Sequence, residues 1–279
     1  MTDLEFRRIS MYLKDRYGID MTHKKEIMDG RLSNMIRIRG FDNYDAYMNA
    51  LMQDPSGEME KELVNLLSTN HTYFMREFEH FEYMKKVVLP YLRKKEENIQ
   101  DLRIWCGAAS SGEEPYTLAM LLVDFFGLEH DKWDTTVLAT DISTEVLQTA
   151  VRGVYKKEQI AELPDNWKRR FFRSVGEGEY FAITDELKNE VLFRQFNLMD
   201  DFPFRKKLHV IFLRNVMIYF DRPTKQNLIK KLYDVLEPGG YLFVGRTETI
   251  EKGNVPFELV EPSIFRKPLA TKEEAIWRK

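Results

Sequence analysis

Leu102-Arg103-Ile104-Trp105-Cys106 runs directly into Gly107-Ala108-Ala109-Ser110-Ser111-Gly112 and then Glu113-Glu114-Pro115. A short apolar run, a loop of small residues and an acidic helix start make a strand, a tight turn and a helix. The helix predicted over residues 113–126 is apolar nearly all round, which implies that it is buried. In a doubly wound sheet the ligand sits at the carboxyl end of such a strand. Gly107 and Gly112 have the outer spacing of a dinucleotide fingerprint, with Ala109 where the middle glycine would stand. Small residues let the backbone approach a ligand, and Pro115 suits a first helical turn. Two carboxylates, Glu113 and Glu114, would repel a phosphate at this helix end. A nucleoside with a positively charged end fits better, and S-adenosylmethionine, with its sulfonium and ammonium groups, is one. The bland alternative is a small-residue turn with helix-capping acids.

The same texture continues outward from this stretch. Residues 135–139 form a second apolar strand ending at Thr140-Asp141, and residues 208–213 form another ending at Arg214-Asn215. A helix over about 224–236 leads through Pro238-Gly239-Gly240 into the strand 241–244, and 257–260 and 264–266 supply the last strands. Buried strands alternating with helices predict an α/β, doubly wound, Rossmann-like sheet domain. Asp141 ends its strand where a carboxylate accepts both hydroxyls of a ribose; its other reading is an N-cap for the helix beginning near Ser143. Between about 153 and 192 the alternation lapses. Tyr155, Trp167, Phe171, Phe172 and the Gly176-Glu177-Gly178 turn predict a small β insertion there.

Upstream, residues 1–97 read as all-α. Leu4, Ile9, Met11, Tyr12 and Leu13 form one apolar cluster; Leu32, Met35, Ile36 and Ile38 form a second. Leu63, Val64, Leu66 and Leu67 recur at helical spacing, and breaks fall at Gly18, Gly40 and Asp54-Pro55-Ser56-Gly57. A further helix is expected over 77–95, interrupted near Pro90. The predicted organisation is a helical amino-terminal domain over 1–80, a linker helix over 81–97, the doubly wound sheet domain over 98–268 and a charged helical tail over 269–279.

The chain has 279 residues with 42 Lys+Arg against 45 Asp+Glu, a net charge of −3 that gives no global case for nucleic-acid binding. No apolar run approaches the roughly 18 residues of a membrane span, and MTDLEFRRIS lacks the apolar core of a secretory signal. The one cysteine, Cys106, favours a reducing cytoplasmic setting. His71 and His80 do not share adjacent turns of one helical face, so no metal site is expected.

Ser68-Thr69-Asn70-His71-Thr72-Tyr73-Phe74-Met75-Arg76-Glu77 resembles the asparagine-threonine-phenylalanine-arginine signature of the CheR chemotaxis methyltransferases. Residues 105–117, 139–143, Asn197-Leu198, Arg214-Asn215-Val216-Met217-Ile218-Tyr219-Phe220-Asp221 and 236–245 are similar to the family's later motifs, in family order. The resemblance implies methyl-ester formation on glutamates of chemoreceptor signalling domains, for sensory adaptation, with S-adenosylmethionine as donor and S-adenosylhomocysteine as product. It also implies a cytoplasmic protein recruited to membrane receptor arrays, without membrane insertion.

Carried over by motif, Asn70, Thr72, Arg76, Glu114, Asp141, Asn197, Leu198 and Asn215 would line the cofactor site, with Gly107 and Ala109 in the loop and Arg214 adjoining. Asp141 would hold the ribose and Asn197 face the adenine. Arg76 and Tyr219 would be the catalytic pair, flanking the methyl and positioning the substrate carboxylate. The basic stretch Lys24, Lys25, Arg31, Arg37 and Arg39 either steers an acidic receptor or is a solvated helix face. In some relatives a hairpin in the insertion binds a receptor tail by strand addition. Here the loop around Gly176-Glu177-Gly178 is shorter, so receptor-tail binding is not expected. Two other functions compete: an S-adenosylmethionine-dependent N-methyltransferase, and a cofactor-binding regulatory module without turnover. The first lacks an Asn/Asp-Pro-Pro-aromatic run after the fourth strand, where Arg214-Asn215-Val216-Met217 stands instead. The retained Arg76 and Tyr219 speak against the second.

Overall fold

The computed structural model describes residues 1–251, 253 and 255–269. Four helices open the chain: α1 (Asp3–Tyr17), α2 (Lys25–Ile38), α3 (Tyr44–Gln53) and α4 (Glu58–Leu67). The start of α1 is fixed by a reciprocal cap in which Thr2 Oγ1 accepts from the Glu5 amide while Glu5 accepts from the Thr2 amide. Glu5 also accepts from the Tyr44 amide at 3.1 Å, which ties α3 to α1. Ile9, Leu13, Met28, Leu32, Tyr47, Met48 and Leu63 are buried together as the core of this region. Leu4 and Met11 do not join it: they are 72% and 64% exposed. They lie seven residues apart on the face of α1 opposite Ile9 and Leu13, so helical period excludes them from the core.

Next come α5 (Glu79–Tyr83), a π-helical turn (Met84–Val88) and α6 (Leu89–Lys95). The irregularity precedes Pro90 rather than falling on it. Proline is tolerated in the first turn of α6, and the Leu89 amide reaches back five residues to the Met84 carbonyl. Phe81 stacks on Phe212 and Phe212 on Phe243, with ring centroids 5.8 Å and 4.3 Å apart, which locks these helices onto the sheet.

The sheet itself uses β1 (Ile104–Cys106), β2 (Val137–Asp141), β6 (Val191–Gln195), β7 (Leu208–Phe212), β8 (Leu236–Phe243), β9 (Glu258–Glu261) and β10 (Ile264–Arg266). Their order is β6-β2-β1-β7-β8-β10-β9; the first five run parallel, and β10 pairs antiparallel with both β8 and β9. Helix α7 (Glu113–Phe126) follows β1, α8 (Thr144–Arg152) follows β2 and α11 (Arg222–Val235) precedes β8. Chain order reverses direction between β1 and β7, which opens a crevice at their carboxyl ends. The inserted strands β3 (Val154–Lys156), β4 (Phe172–Val175) and β5 (Tyr180–Ile183) make a separate antiparallel sheet in the order β3-β5-β4, with the short helices α9 (Asp165–Phe171) and α10 (Asp185–Lys188) alongside. Among the described residues no helix is long and apolar enough to cross a membrane. The expected charged helical tail lies outside the described residues from residue 270 on.

Candidate active site

The loop after β1 is folded tightly over its neighbours. The Gly107 amide donates to Phe212 O and the Ala109 amide to Thr140 O, at 2.8 Å and 2.9 Å. An added Cβ on Gly107 would stand 2.6 Å from Leu213 Cδ1, so any side chain there must displace that buried leucine. Asp141 Oδ2 accepts from the Ser110 amide at 2.8 Å and Oδ1 from the Ser143 amide at 2.9 Å. The N-cap of α8 is Ser143, whose hydroxyl accepts from the Val146 amide, so Asp141 is left to the cavity. Burial pushes the Asp141 carboxyl up, against the pull of the surrounding backbone amides.

The two acids that follow take different roles. Glu113 turns inward, nearly fully buried, and accepts from Ser111 Oγ at 2.7 Å; burial raises its carboxyl as well. Glu114 faces the cavity, accepting from the Cys106 thiol at 3.1 Å and from Arg214 Nη1 at 2.5 Å. These are not solvated capping acids.

The segment leaving α4 crosses to the same place. Arg31 Nη1 donates to Leu67 O and Ser68 O at 3.0 Å each, satisfying carbonyls at the helix end. Asn70 O then accepts from Ser110 Oγ at 3.0 Å. Met75 and Glu77 adopt left-handed backbone at φ 60° and 54°, and Arg76 between them donates to His71 O at 2.7 Å. Glu77 pairs with Arg214 at 3.1 Å and accepts from the Arg246 amide and from Asn215 Nδ2. Burial alone would raise the Glu77 carboxyl; Arg214 and these donors outweigh it and hold it below the usual range. Arg214 also donates to Arg76 O, and its Nε is buried without a hydrogen-bond partner.

The helical region closes the crevice. Ile19 bridges to Phe220, the Asp20 amide donates to Tyr219 O at 2.7 Å, and Lys14 pairs with Asp221 at 2.8 Å. Lys24 Nζ lies 5.3 Å from the centre of the Tyr219 ring. Asn197 Nδ2 donates to Arg16 O at 2.9 Å, and its Oδ1 accepts from the Met199 amide.

One cavity results. Asn70, Thr72, Arg76, Gly107, Glu114, Asp141, Asn197, Leu198, Arg214, Asn215 and Tyr219 all line it. Ala109 does not: it is buried in the sheet-domain core, and Ala108 lines the cavity instead. The residues that sequence reasoning did not assign come mostly from the helical region, namely Tyr17, Ile19, Met21 and Ile27, with Ile142 and Phe196 from the sheet domain. Lys24 and Arg31 of the basic stretch also line the cavity, whereas Lys25 pairs with Asp3 and Arg39 with Glu62. The only group of three or more candidate metal ligands among the described residues, Glu96, His209 and Glu237, is engaged by Lys95 and Arg103 and lies outside this cavity.

Comparison with known proteins matches both regions of the chain to one family. Residues 70–265 match the family model described as the CheR methyltransferase SAM binding domain, and residues 4–68 match the CheR methyltransferase all-alpha domain. A chemotaxis protein methyltransferase of Borreliella burgdorferi is 38% identical over 273 residues, covering 96% of this chain and 95% of the relative. One from Escherichia coli is 36% identical over 95% of this chain and 91% of its own length. Chemotaxis protein methyltransferase 2 of Pseudomonas aeruginosa is 37% identical, with 88% and 86% covered.

Proposed function

Because the chain belongs to the CheR methyltransferase family, we propose that the cavity between its helical region and its sheet is where a chemoreceptor glutamate takes a methyl group from S-adenosylmethionine. The observation that carries this reading is the convergence of Arg76 and Tyr219 on a cavity that also holds Asp141 and Glu114. The residues suit the cofactor chemically. Asp141 offers carboxylate oxygens to a ribose, Glu114 an anion to an ammonium, and Arg214 an unpartnered buried Nε–H to a carboxylate. Since the Asn197 side chain already bonds Arg16 and Met199, adenine is left to the Asn197 backbone and the Leu198 side chain.

When bound, the cofactor supplies an electrophilic methyl on sulfur. A glutamate side chain is ionised at neutral pH, with a reference pKa near 4.3, and attacks without a general base. The protein's task is alignment, and positioning supplies several kcal/mol of barrier reduction. Arg76 holds one carboxylate oxygen while the other faces the methyl, and the Tyr219 hydroxyl orients it. Arg76 is tethered through Nη1 to His71 O, so it orients the carboxylate without the full bidentate clamp that would stabilise the ground state. Residues 1–80 then form the helical domain that presents the receptor, residues 98–268 the cofactor domain and residues 153–192 its insertion. Receptor recognition proceeds without the receptor tail, in the cytoplasm at receptor arrays. Arg76→Ala separates the roles. Methyl transfer is expected to fall at least 100-fold with S-adenosylhomocysteine affinity changed less than fivefold in calorimetry. Retained transfer contradicts the assignment.

A further inference from the structure

Glu248 follows β8 in the turn Gly245-Arg246-Thr247-Glu248, closed by the Glu248 amide donating to Gly245 O at 2.8 Å. It is 6% exposed and does not line the cavity. Its carboxylate accepts three backbone N–H groups. Oε2 takes those of Gly245 and Asn215, at 2.6 Å and 2.8 Å, and Oε1 takes that of Ile218 at 3.2 Å. A carboxylate with two oxygens and four lone-pair sites is the side chain that can hold three donors at once. A carboxamide replaces one of those acceptor oxygens with a donor.

The donors belong to the loop that carries the site. Asn215 stands at φ 58°, a left-handed backbone that the surrounding hydrogen bonds hold in place. Its amide points at Glu248, while its side chain reaches Glu77 on the opposite side. Ile218 is the middle residue of the 3₁₀ turn Met217–Tyr219 that sets where the Tyr219 ring enters the cavity. Gly245 completes the arrangement. An added Cβ there would stand 2.4 Å from Asn215 Nδ2 and 2.9 Å from Glu248 Oε2, so only glycine lets the two loops approach this closely.

We propose that Glu248 is a positioning residue for methyl transfer, holding both ends of the Asn215–Tyr219 loop through its backbone amides without touching cofactor or substrate. This rests on the assignment of Tyr219 to the reacting centre made above. Glu248→Gln preserves shape and volume, but its amide nitrogen must face at least one backbone N–H. The loop is then released at one end and Tyr219 loses its fixed position.

A cycle of E248Q, Y219F and the double variant separates positioning from folding. The substrate is a receptor cytoplasmic fragment that the unsubstituted protein methylates, and kcat, KM for the fragment and the thermal midpoint are read for each. The expected result is a kcat at least tenfold lower in E248Q with KM changed less than threefold, and a double variant no slower than the slower single one. Non-additivity of that kind is what action through Tyr219 requires, and a general loss of stability does not produce it. If E248Q fails to fold, the cycle is run with Glu248→Asp, which keeps the charge and shortens the reach by one methylene, with the same outcomes expected. An impaired Y219F beside an unimpaired or fully additive Glu248 variant overturns this proposal and leaves the assignment of Tyr219 standing. An unimpaired Y219F removes the assignment, and this proposal with it.

Discussion

Arg214→Met removes the guanidinium that joins the two sides of the site and keeps the apolar stem. In the folded protein this side chain is 1% exposed, 3.1 Å from Glu77 and 2.5 Å from Glu114, whose side chains are 11% and 14% exposed. Removing one partner of a buried pair costs about 3–5 kcal/mol, because the remaining charge stays desolvated. Here two carboxylates lose their partner. Both keep other donors, among them Cys106 Sγ for Glu114 and the Arg246 amide for Glu77, so the expected loss stays in that range. At roughly 2–4 °C per kcal/mol for a protein of this size, the thermal midpoint drops on the order of 10 °C.

The loss depends on pH with a definite sign. Glu77 is held below its ordinary range in the folded protein, so its pairing stabilises the fold above a pH of about 4.5 and is lost as pH falls through the lower folded value. In the variant burial acts on Glu77 with no guanidinium opposing it, and the penalty grows as pH rises. Urea unfolding at pH 7, 6, 5 and 4.5 should therefore show the widest gap between the two proteins at pH 7, narrowing toward pH 4.5. A variant within 1 kcal/mol of the parent at pH 7, or a gap that does not narrow, refutes the reasoning.

Gly107→Ala forces a methyl to within 2.6 Å of Leu213 Cδ1 and 3.3 Å of Trp105, an overpacking worth about 1–3 kcal/mol, and S-adenosylhomocysteine binding in calorimetry should weaken at least tenfold. His209 has a pKa of about 3, pushed down by burial and then by the Arg103 and Lys95 cations, against a weaker upward pull from Asp101. Its contribution is complete above pH 6.5 and declines toward pH 3, with a slope approaching 1.4 kcal/mol per pH unit, so His209→Gln should flatten acid unfolding by about one proton. The Cys106 thiol is fully buried and pushed well up, first by burial and then by Glu114. Iodoacetamide at pH 8 should leave it unmodified in the native protein and alkylate it in urea; labelling at equal rates contradicts the burial.

The parallel sheet was legible because each buried strand ends in a chemically distinct pair, Cys106-Gly107, Thr140-Asp141 and Arg214-Asn215, at the carboxyl edge where a doubly wound fold keeps its ligands. The loop after β1 was legible to within one residue. Composition does not tell Ala108 from Ala109; only the folded loop puts Ala108 at the cavity and Ala109 in the core. The wall contributed by Tyr17, Ile19 and Met21 left no such signal, since their role exists only once α1 and the segment after it dock on the sheet domain through Phe220 and Asp221. Leu4 and Met11 misled for a related reason: an apolar residue near a core cluster in sequence is on the opposite face of α1 in space. Glu248 reads as one more surface acid in Gly245-Arg246-Thr247-Glu248, and only folding brings three amides to it.

The central claim is carboxyl methylation. It is tested most directly by supplying methyl-tritiated S-adenosylmethionine with a chemoreceptor cytoplasmic fragment and collecting the volatile label that mild base releases. Methanol released from the fragment, and lost when its methyl-accepting glutamates are changed to alanine, is the predicted result. Label that stays on the protein through base treatment is not a carboxyl ester, and it contradicts the account.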